Sequence, residues 1–126
     1  MKIRLFEVDS FTVKPFKGNP AAVCLLDQPR EDAWMQALAT ELLLSETAFL
    51  YPKGNDYDLR WFTPSTEVNL CGHATLASAH ILFELGLYDP DETIKFHTKS
   101  GVITATFDLG TITLDMPLIR PIPAVS

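Results

Sequence analysis

A helix with no polar face sets the strongest constraint on how this chain can fold. The run from Gly72 to Leu85 has the length of a helix and stops at Gly86. Its first turns nevertheless carry small or apolar side chains on every side, namely Ala74, Thr75, Leu76, Ala77, Ser78 and Ala79. A helix that is apolar all round is enclosed by other structure rather than lying on a surface. The rest of the chain is therefore expected to wrap around it.

The remaining segments supply the material for that wrapping. Apolar and β-branched runs bounded by turn residues predict strands at 2–11, 21–26, 47–51, 57–63, 93–99, 102–108 and 111–116. A first helix is predicted from Glu31 to about Leu44, because Trp34, Leu38 and Leu42 recur every fourth residue. Most connections between strands have hairpin length. The pattern predicts an α+β fold, a mixed, largely antiparallel β-sheet rolled around a central α-helix.

Length and charge limit the domain count and the partners. A chain of 126 residues predicts a single domain over 1–126, in which the proline-rich segment 117–126 is a linker-like tail. The formal charge of -6 and the lack of a basic cluster exclude nucleic acid and anionic membranes as expected partners. No apolar run could span a bilayer, and the first residues do not resemble a signal peptide, so we expect a cytoplasmic protein.

The two cysteines do not form a recognisable metal or disulfide motif. Cys24 and Cys71 lie far apart and belong to no Cys-x-x-Cys pair. Neither a metal site nor a disulfide is predicted, and both thiols are expected to be small buried hydrophobes.

The start of the apolar helix is the first candidate site. Gly72 and His73 open it, and the first turn of a helix has unpaired N–H groups and a partial positive charge that can hold a carboxylate or phosphate. His73 adds a donor or a proton relay near neutral pH. The alternative is an ordinary helix start with a half-buried histidine.

Glu46 is the second candidate. It interrupts an apolar stretch between Leu44 and Phe49, so partial shielding from water is expected, an environment that suits proton transfer. The alternative is a glutamate turned out to solvent at the end of a helix. Gly18 and Asn19, before Pro20, are by themselves only a turn signal.

Four blocks together resemble the PhzF-like family in order and spacing. The blocks are Gly-Asn-Pro-Ala-Ala-Val at 18–23, Ser-Glu-Thr-Ala-Phe at 45–49, Arg-Trp-Phe-Thr-Pro at 60–64 and Cys-Gly-His-Ala-Thr at 71–75. The resemblance runs from about residue 4 to Pro117. It implies a diaminopimelate-epimerase-like fold, in which two similar lobes each roll a sheet around a central helix and bind substrate between them. This chain corresponds to the N-terminal lobe.

The resemblance also implies roles for individual residues. Glu46 would be the acid/base that moves a proton on substrate carbon, without a cofactor or a metal. Gly72 and His73 would contact a small anionic, carboxylate-bearing substrate, joined by Ser45, Gly18 and Asn19. Cys71 occupies the position of a catalytic thiol in related two-cysteine racemases, but is ranked here as packing.

The sequence departs from the family pattern in two respects. The second-lobe block Asp-Pro-x-Thr-Gly-Ser does not occur in these residues, and Leu43 stands where an Asn often precedes the Ser-Glu-Thr block. The isomerase reading therefore requires a second lobe, supplied by a homodimer partner or by a separate chain. The alternative is a non-catalytic relic or interaction module that keeps only the fold.

Overall fold

The computed structural model of the chain describes residues 3–10 and 19–116. Within them, two helices accompany eight strands. The strands are β1 (Ile3–Ser10), β2 (Asn19–Leu26), β3 (Glu46–Lys53), β4 (Asp56–Phe62), β5 (Glu67–Val68), β6 (Ile94–Thr98), β7 (Gly101–Asp108) and β8 (Thr111–Asp115). The helices are α1 (Asp32–Leu42) and α2 (Gly72–Glu84).

All the strands belong to one mixed sheet. Its order is β1-β2-β3-β4-β6-β7-β8, with the short β5 paired to β4 outside this path. β2 and β3 are parallel, as are β4 and β6, and the remaining pairs are antiparallel. Each parallel pair is joined through one of the helices, as parallel strands require.

The sheet curls around α2. This helix contacts β1, β2 and β3 and also β8 at the opposite edge of the sheet. Alternate residues of the central strands face it, namely Ala21, Val23 and Leu25 of β2, Ala48 and Leu50 of β3, and Leu59 and Trp61 of β4. Small residues of α2 let the strands approach closely, and Ala74, Ala77 and Ala79 are completely buried. The apolar helix is thus enclosed, as its sequence predicts.

The other face of the sheet carries α1. Met35 and Ala39 of this helix pack with Phe49 of β3 and Phe62 of β4, and Cys24 of β2 belongs to the same cluster. Strands β2 to β4 are therefore covered on both faces. This explains why Ala21–Leu26 reads as a continuous apolar run rather than as an alternating one.

The observed elements match the predicted ones except at their ends and at one turn. α1 ends at Leu42 rather than near Leu44, and β3 begins at Glu46 rather than at Thr47. The segment after Pro64, expected to be only a turn, contains the two-residue strand β5. The predicted linker-like tail 117–126 and Gly18 lie outside the described residues. Neither described helix is long and apolar enough to cross a membrane.

Candidate active site

Glu46 lies where β3 begins, on the face of the sheet that carries α2. Its neighbours on this face are Ala48 and Leu50, which point into the α2 core. In the parallel pairing of β2 and β3, Glu46 is opposite Ala21. The Glu46 side chain is 21% exposed, so it is neither turned out to solvent nor sealed inside the protein.

His73, in the first turn of α2, meets this carboxylate. Its Nε2 lies 2.7 Å from Oε1 of Glu46, and the His73 side chain is 20% exposed. Both atoms are out of contact with water and lie at the distance of an ion pair. Enclosed polar atoms this close interact strongly in a low-dielectric surrounding.

Cys71 completes the cluster from the N-cap position of α2. Its Sγ lies 3.8 Å from Nδ1 of His73, and one donor atom from each of Cys71, His73 and Glu46 lies within 4.8 Å of the others. Burial raises the pKa of the thiol, and the charge of Glu46 adds to this rise. The backbone N–H groups of Ala74 and His73 act in the opposite direction. Cys71 is buried, as expected, but its sulfur also faces the candidate catalytic residues.

A buried hydrogen-bond relay fixes the start of α2 against the sheet. Trp61 of β4 donates through Nε1 to Oγ1 of Thr75 over 3.0 Å, and the same hydroxyl donates to the carbonyl of Cys71 over 2.7 Å. Thr75 is completely buried. The relay therefore connects β4 to the residue that precedes Gly72 and His73.

The other predicted binding residues lie near this cluster to different degrees. Ser45 immediately precedes Glu46 and is exposed. Asn19 is the first residue of β2, the strand that runs beside β3, whereas Gly18 is outside the described residues. A Cβ placed on Gly72 would meet Met116 Cε at an ordinary 3.9 Å, so packing among the described residues does not by itself require glycine there. The substrate contacts of these residues stay predictions.

A polar groove of the described residues lies elsewhere. It has a volume of about 510 Å³ and is lined by residues of α1, β3, β4 and β6, among them Arg60. Arg60 is already committed to Glu67 at 2.7 Å and Asp32 at 2.8 Å, and this guanidinium holds the pKa of Glu67 below its usual range. The groove is on the opposite side of the sheet from Glu46. Arg60 and Lys99 of this groove are both paired with Glu67, so the Glu46 cluster remains the better candidate for chemistry.

The profile of the phenazine biosynthesis-like proteins PhzC and PhzF matches residues 8–122. The chain belongs to the PhzC-PhzF family. Sequence relatives agree. An uncharacterised isomerase of Halalkalibacterium halodurans is 56% identical over 121 residues, which cover 96% of this chain and 46% of that protein. A human phenazine biosynthesis-like domain-containing protein is 47% identical over 126 residues, covering 94% of this chain and 43% of that protein.

Solved structures of PhzF-family proteins share the fold. A crystal structure from Enterococcus faecalis superposes with a TM-score of 0.78 at 46% identity, covering 86% of this chain and 42% of the other. A hydroxyproline epimerase from Agrobacterium vitis gives a TM-score of 0.66 at 14% identity, covering 89% of this chain and 40% of the other, which shows a common fold alone. The α+β, diaminopimelate-epimerase-like fold is confirmed. The PhzC-PhzF chain spans about half the length of the curated relatives it matches.

Proposed function

We propose that this chain is one lobe of a cofactor-independent isomerase, in which Glu46 moves a proton on a carbon atom of a small carboxylate-bearing substrate. Glu46 takes the proton from one position of the substrate and returns it to another. No redox step is required, because the electrons of the broken C–H bond stay in the substrate.

The observation that carries this proposal is the 2.7 Å contact between Oε1 of Glu46 and Nε2 of His73. A general base has to be held in place and partly shielded, yet it must still reach the substrate. Glu46 meets these requirements: it sits at the start of a buried strand, its contact with His73 fixes its position, and a fifth of its side chain remains exposed.

The start of α2 supplies the complementary anion site. Removing a proton next to a carboxylate builds negative charge, which preorganised donors stabilise best where water is excluded. The first turn of α2 offers backbone N–H groups and the positive end of the helix dipole at Gly72 and His73. We assign substrate-carboxylate binding to these two residues.

A second lobe is part of the proposal. Excluding water from the Glu46 cluster requires a cover on the α2 side, since Glu46 and His73 are both partly exposed in this chain. Sequence relatives about twice as long are consistent with such a cover. We propose that it is provided by a second copy of the chain or by a separate second lobe.

The test is hydrogen exchange into a panel of small carboxylic acids. Each acid carries a hydrogen on the carbon atom next to its carboxylate. The protein is incubated with each acid in D₂O, and deuterium uptake is measured by mass spectrometry. We expect uptake on at least one acid, and we expect the Glu46→Gln variant to lower its rate by about 100-fold to 10,000-fold. Folding should barely change, because Gln keeps the shape of Glu.

Glu84→Gln is the matched control. Glu84 also lies beside a histidine of α2, His80 at 3.2 Å, but this pair is exposed. Glu84→Gln should exchange at the parent rate. Exchange by Glu46→Gln at the parent rate would overturn the assignment, and absence of exchange across the panel would favour the non-catalytic alternative.

A further inference from the structure

We propose that Cys71 and His73 bind a divalent cation of the zinc type, with Glu46 holding the second ring nitrogen of His73. The proposal uses side chains of the proposed active site, but it does not depend on catalysis. It adds a ligand class, thiophilic metal ions, that would compete with substrate for the same position.

The spacing of the donor atoms fits one shared ion. A zinc ion binds cysteine sulfur at about 2.3 Å and histidine nitrogen at about 2.0–2.1 Å, so two such donors at tetrahedral angles lie roughly 3.5 Å apart. Sγ of Cys71 and Nδ1 of His73 are separated by 3.8 Å. A movement of a few tenths of an ångström would place both at bonding distance from one ion.

Glu46 supplies the partner that metal-binding histidines generally have. Such histidines donate the N–H of the other ring nitrogen to a carboxylate, carbonyl or water, which fixes the tautomer and raises the basicity of the ligating nitrogen. Here Nε2 contacts Glu46 at 2.7 Å while Nδ1 faces the sulfur of Cys71. The histidine is thus already oriented for an ion on its Nδ1 side.

The start of α2 offers two groups that would stabilise a metal-bound thiolate. Burial and the charge of Glu46 raise the pKa of the Cys71 thiol, but the backbone N–H groups of Ala74 and His73, at the positive end of α2, act in the opposite direction. Binding releases one proton from the thiol and involves no change of oxidation state. The remaining coordination positions are open to water or to the carboxylate of a bound acid.

Other histidines of the described residues lack this combination. His80 and His97 each lie beside a carboxylate, Glu84 and Asp56, respectively. Among the described residues, only the trio of Glu46, Cys71 and His73 brings three potential metal ligands together. A thiolate signal from a bound metal would therefore identify this site.

The experiment is a titration of tag-free, reduced, metal-free protein with Co²⁺, followed in the near ultraviolet. We expect a sulfur-to-cobalt charge-transfer band that saturates and that disappears when Zn²⁺ is added in excess. The absence of a band at millimolar Co²⁺ would overturn the proposal. Because the readout does not depend on turnover, failure here leaves the hydrogen-exchange test of Glu46 unaffected.

Four variants locate the ion. Cys71→Ser should lose the band while keeping the fold, since serine is a preferred N-cap residue. Cys24→Ser is the matched thiol control and should keep the band, because Cys24 lies in the α1 core with its pKa raised to about 11 by burial. His73→Gln should lose it, and Glu46→Gln should weaken Co²⁺ binding by about 10-fold to 100-fold. A band that survives in Cys71→Ser contradicts the assignment.

Discussion

Leu43 shows how a departure from the family pattern appears as backbone strain. It is the residue after α1 and has φ 58° and ψ 24°, the left-handed conformation that ends many helices. Glycine and asparagine adopt this conformation most readily, whereas a leucine there is strained. Leu43 stands where an Asn often occurs in the resembled family, and its side chain is 75% exposed. The exposed side chain therefore gains little from burial to offset the strain.

We expect Leu43→Asn to stabilise the protein by about 1 kcal/mol, because it relieves left-handed strain and sacrifices little buried area. Leu109, with φ 51° and 95% exposure in the turn between β7 and β8, should respond in the same direction. Thermal unfolding measures both effects. Leu85→Asn is the control, since Leu85 caps α2 with φ −77° and has no such strain to relieve. Equal shifts at all three positions would show that conformation is not the cause.

The sequence indicates individual candidate residues for the site but not their arrangement. Glu46 is a candidate because a carboxylate interrupts an apolar stretch, and His73 is one because it opens an apolar helix. Their contact depends on how the start of β3 meets the start of α2, which no local pattern encodes. The sequence assigns Cys71 to packing, since a lone cysteine is usually a small hydrophobe. Only its spacing from His73, two positions along a helix start, could have suggested their contact.

At the scale of elements, the anchoring of α2 to β4 is the contact most relevant to the site. Thr75 accepts a hydrogen bond from Trp61 and donates one to Cys71, so a single hydroxyl links strand and helix start. Ser78 is equally buried, but its hydroxyl donates to the carbonyl of Ala74 within α2, at 2.8 Å. Substitutions at Thr75 and Ser78 can therefore distinguish the bond that anchors α2 to β4 from a bond within α2.

We expect Thr75→Val to destabilise the protein by about 1–3 kcal/mol, because the buried N–H of Trp61 loses its acceptor. The variant should also shift the NMR signals of the His73 ring, since the start of α2 is released from β4. Thr75→Ser should restore both properties. Ser78→Ala should leave the His73 signals unchanged. If Thr75→Val and Ser78→Ala disturb His73 equally, the relay does not position the site.

The elements themselves follow from local sequence signals with one exception. Strand β5 has only two residues and lies among turn formers, so neither length nor alternation distinguishes it from a loop. Its pairing with β4 is a tertiary event: Trp61 pairs with Val68 and Phe62 with Glu67. The ends of α1 and β3 shifted by one or two residues, which is usual because helix ends fray and caps are not visible in the periodicity.

At the scale of the molecule, the chain spans only about half the length of its relatives, and we therefore expect it to associate with a partner. A lobe whose site residues are partly exposed on the α2 side should pair with a second copy when no other partner is present. We expect a dimer or larger assembly in sedimentation experiments at high micromolar concentration. A uniform species of 14.0 kDa would contradict this and favour a separate second lobe as the partner.

The global arrangement was predictable because one element dictated it. A helix with no polar face requires a surrounding sheet, and α2 is enclosed by strands from both edges of the sheet. The parallel pairs β2–β3 and β4–β6 were less accessible, since strand direction depends on the path of the chain between strands. The sequence predicts that the sheet contains both parallel and antiparallel pairs, but it does not predict the order of the strands.

Handedness explains why α1 and α2 lie on opposite faces. Nearly all crossovers between parallel strands are right-handed. The crossovers through α1 and α2 advance across the sheet in the same sense, but the hairpin between β3 and β4 reverses the strand direction between them. Because the strands of the second crossover run in the opposite direction, a right-handed connection there passes over the opposite face of the sheet. Without that hairpin, both helices would lie on the face that carries α1, and the face of the sheet that carries Glu46 would have no helix to bring His73 to the carboxylate.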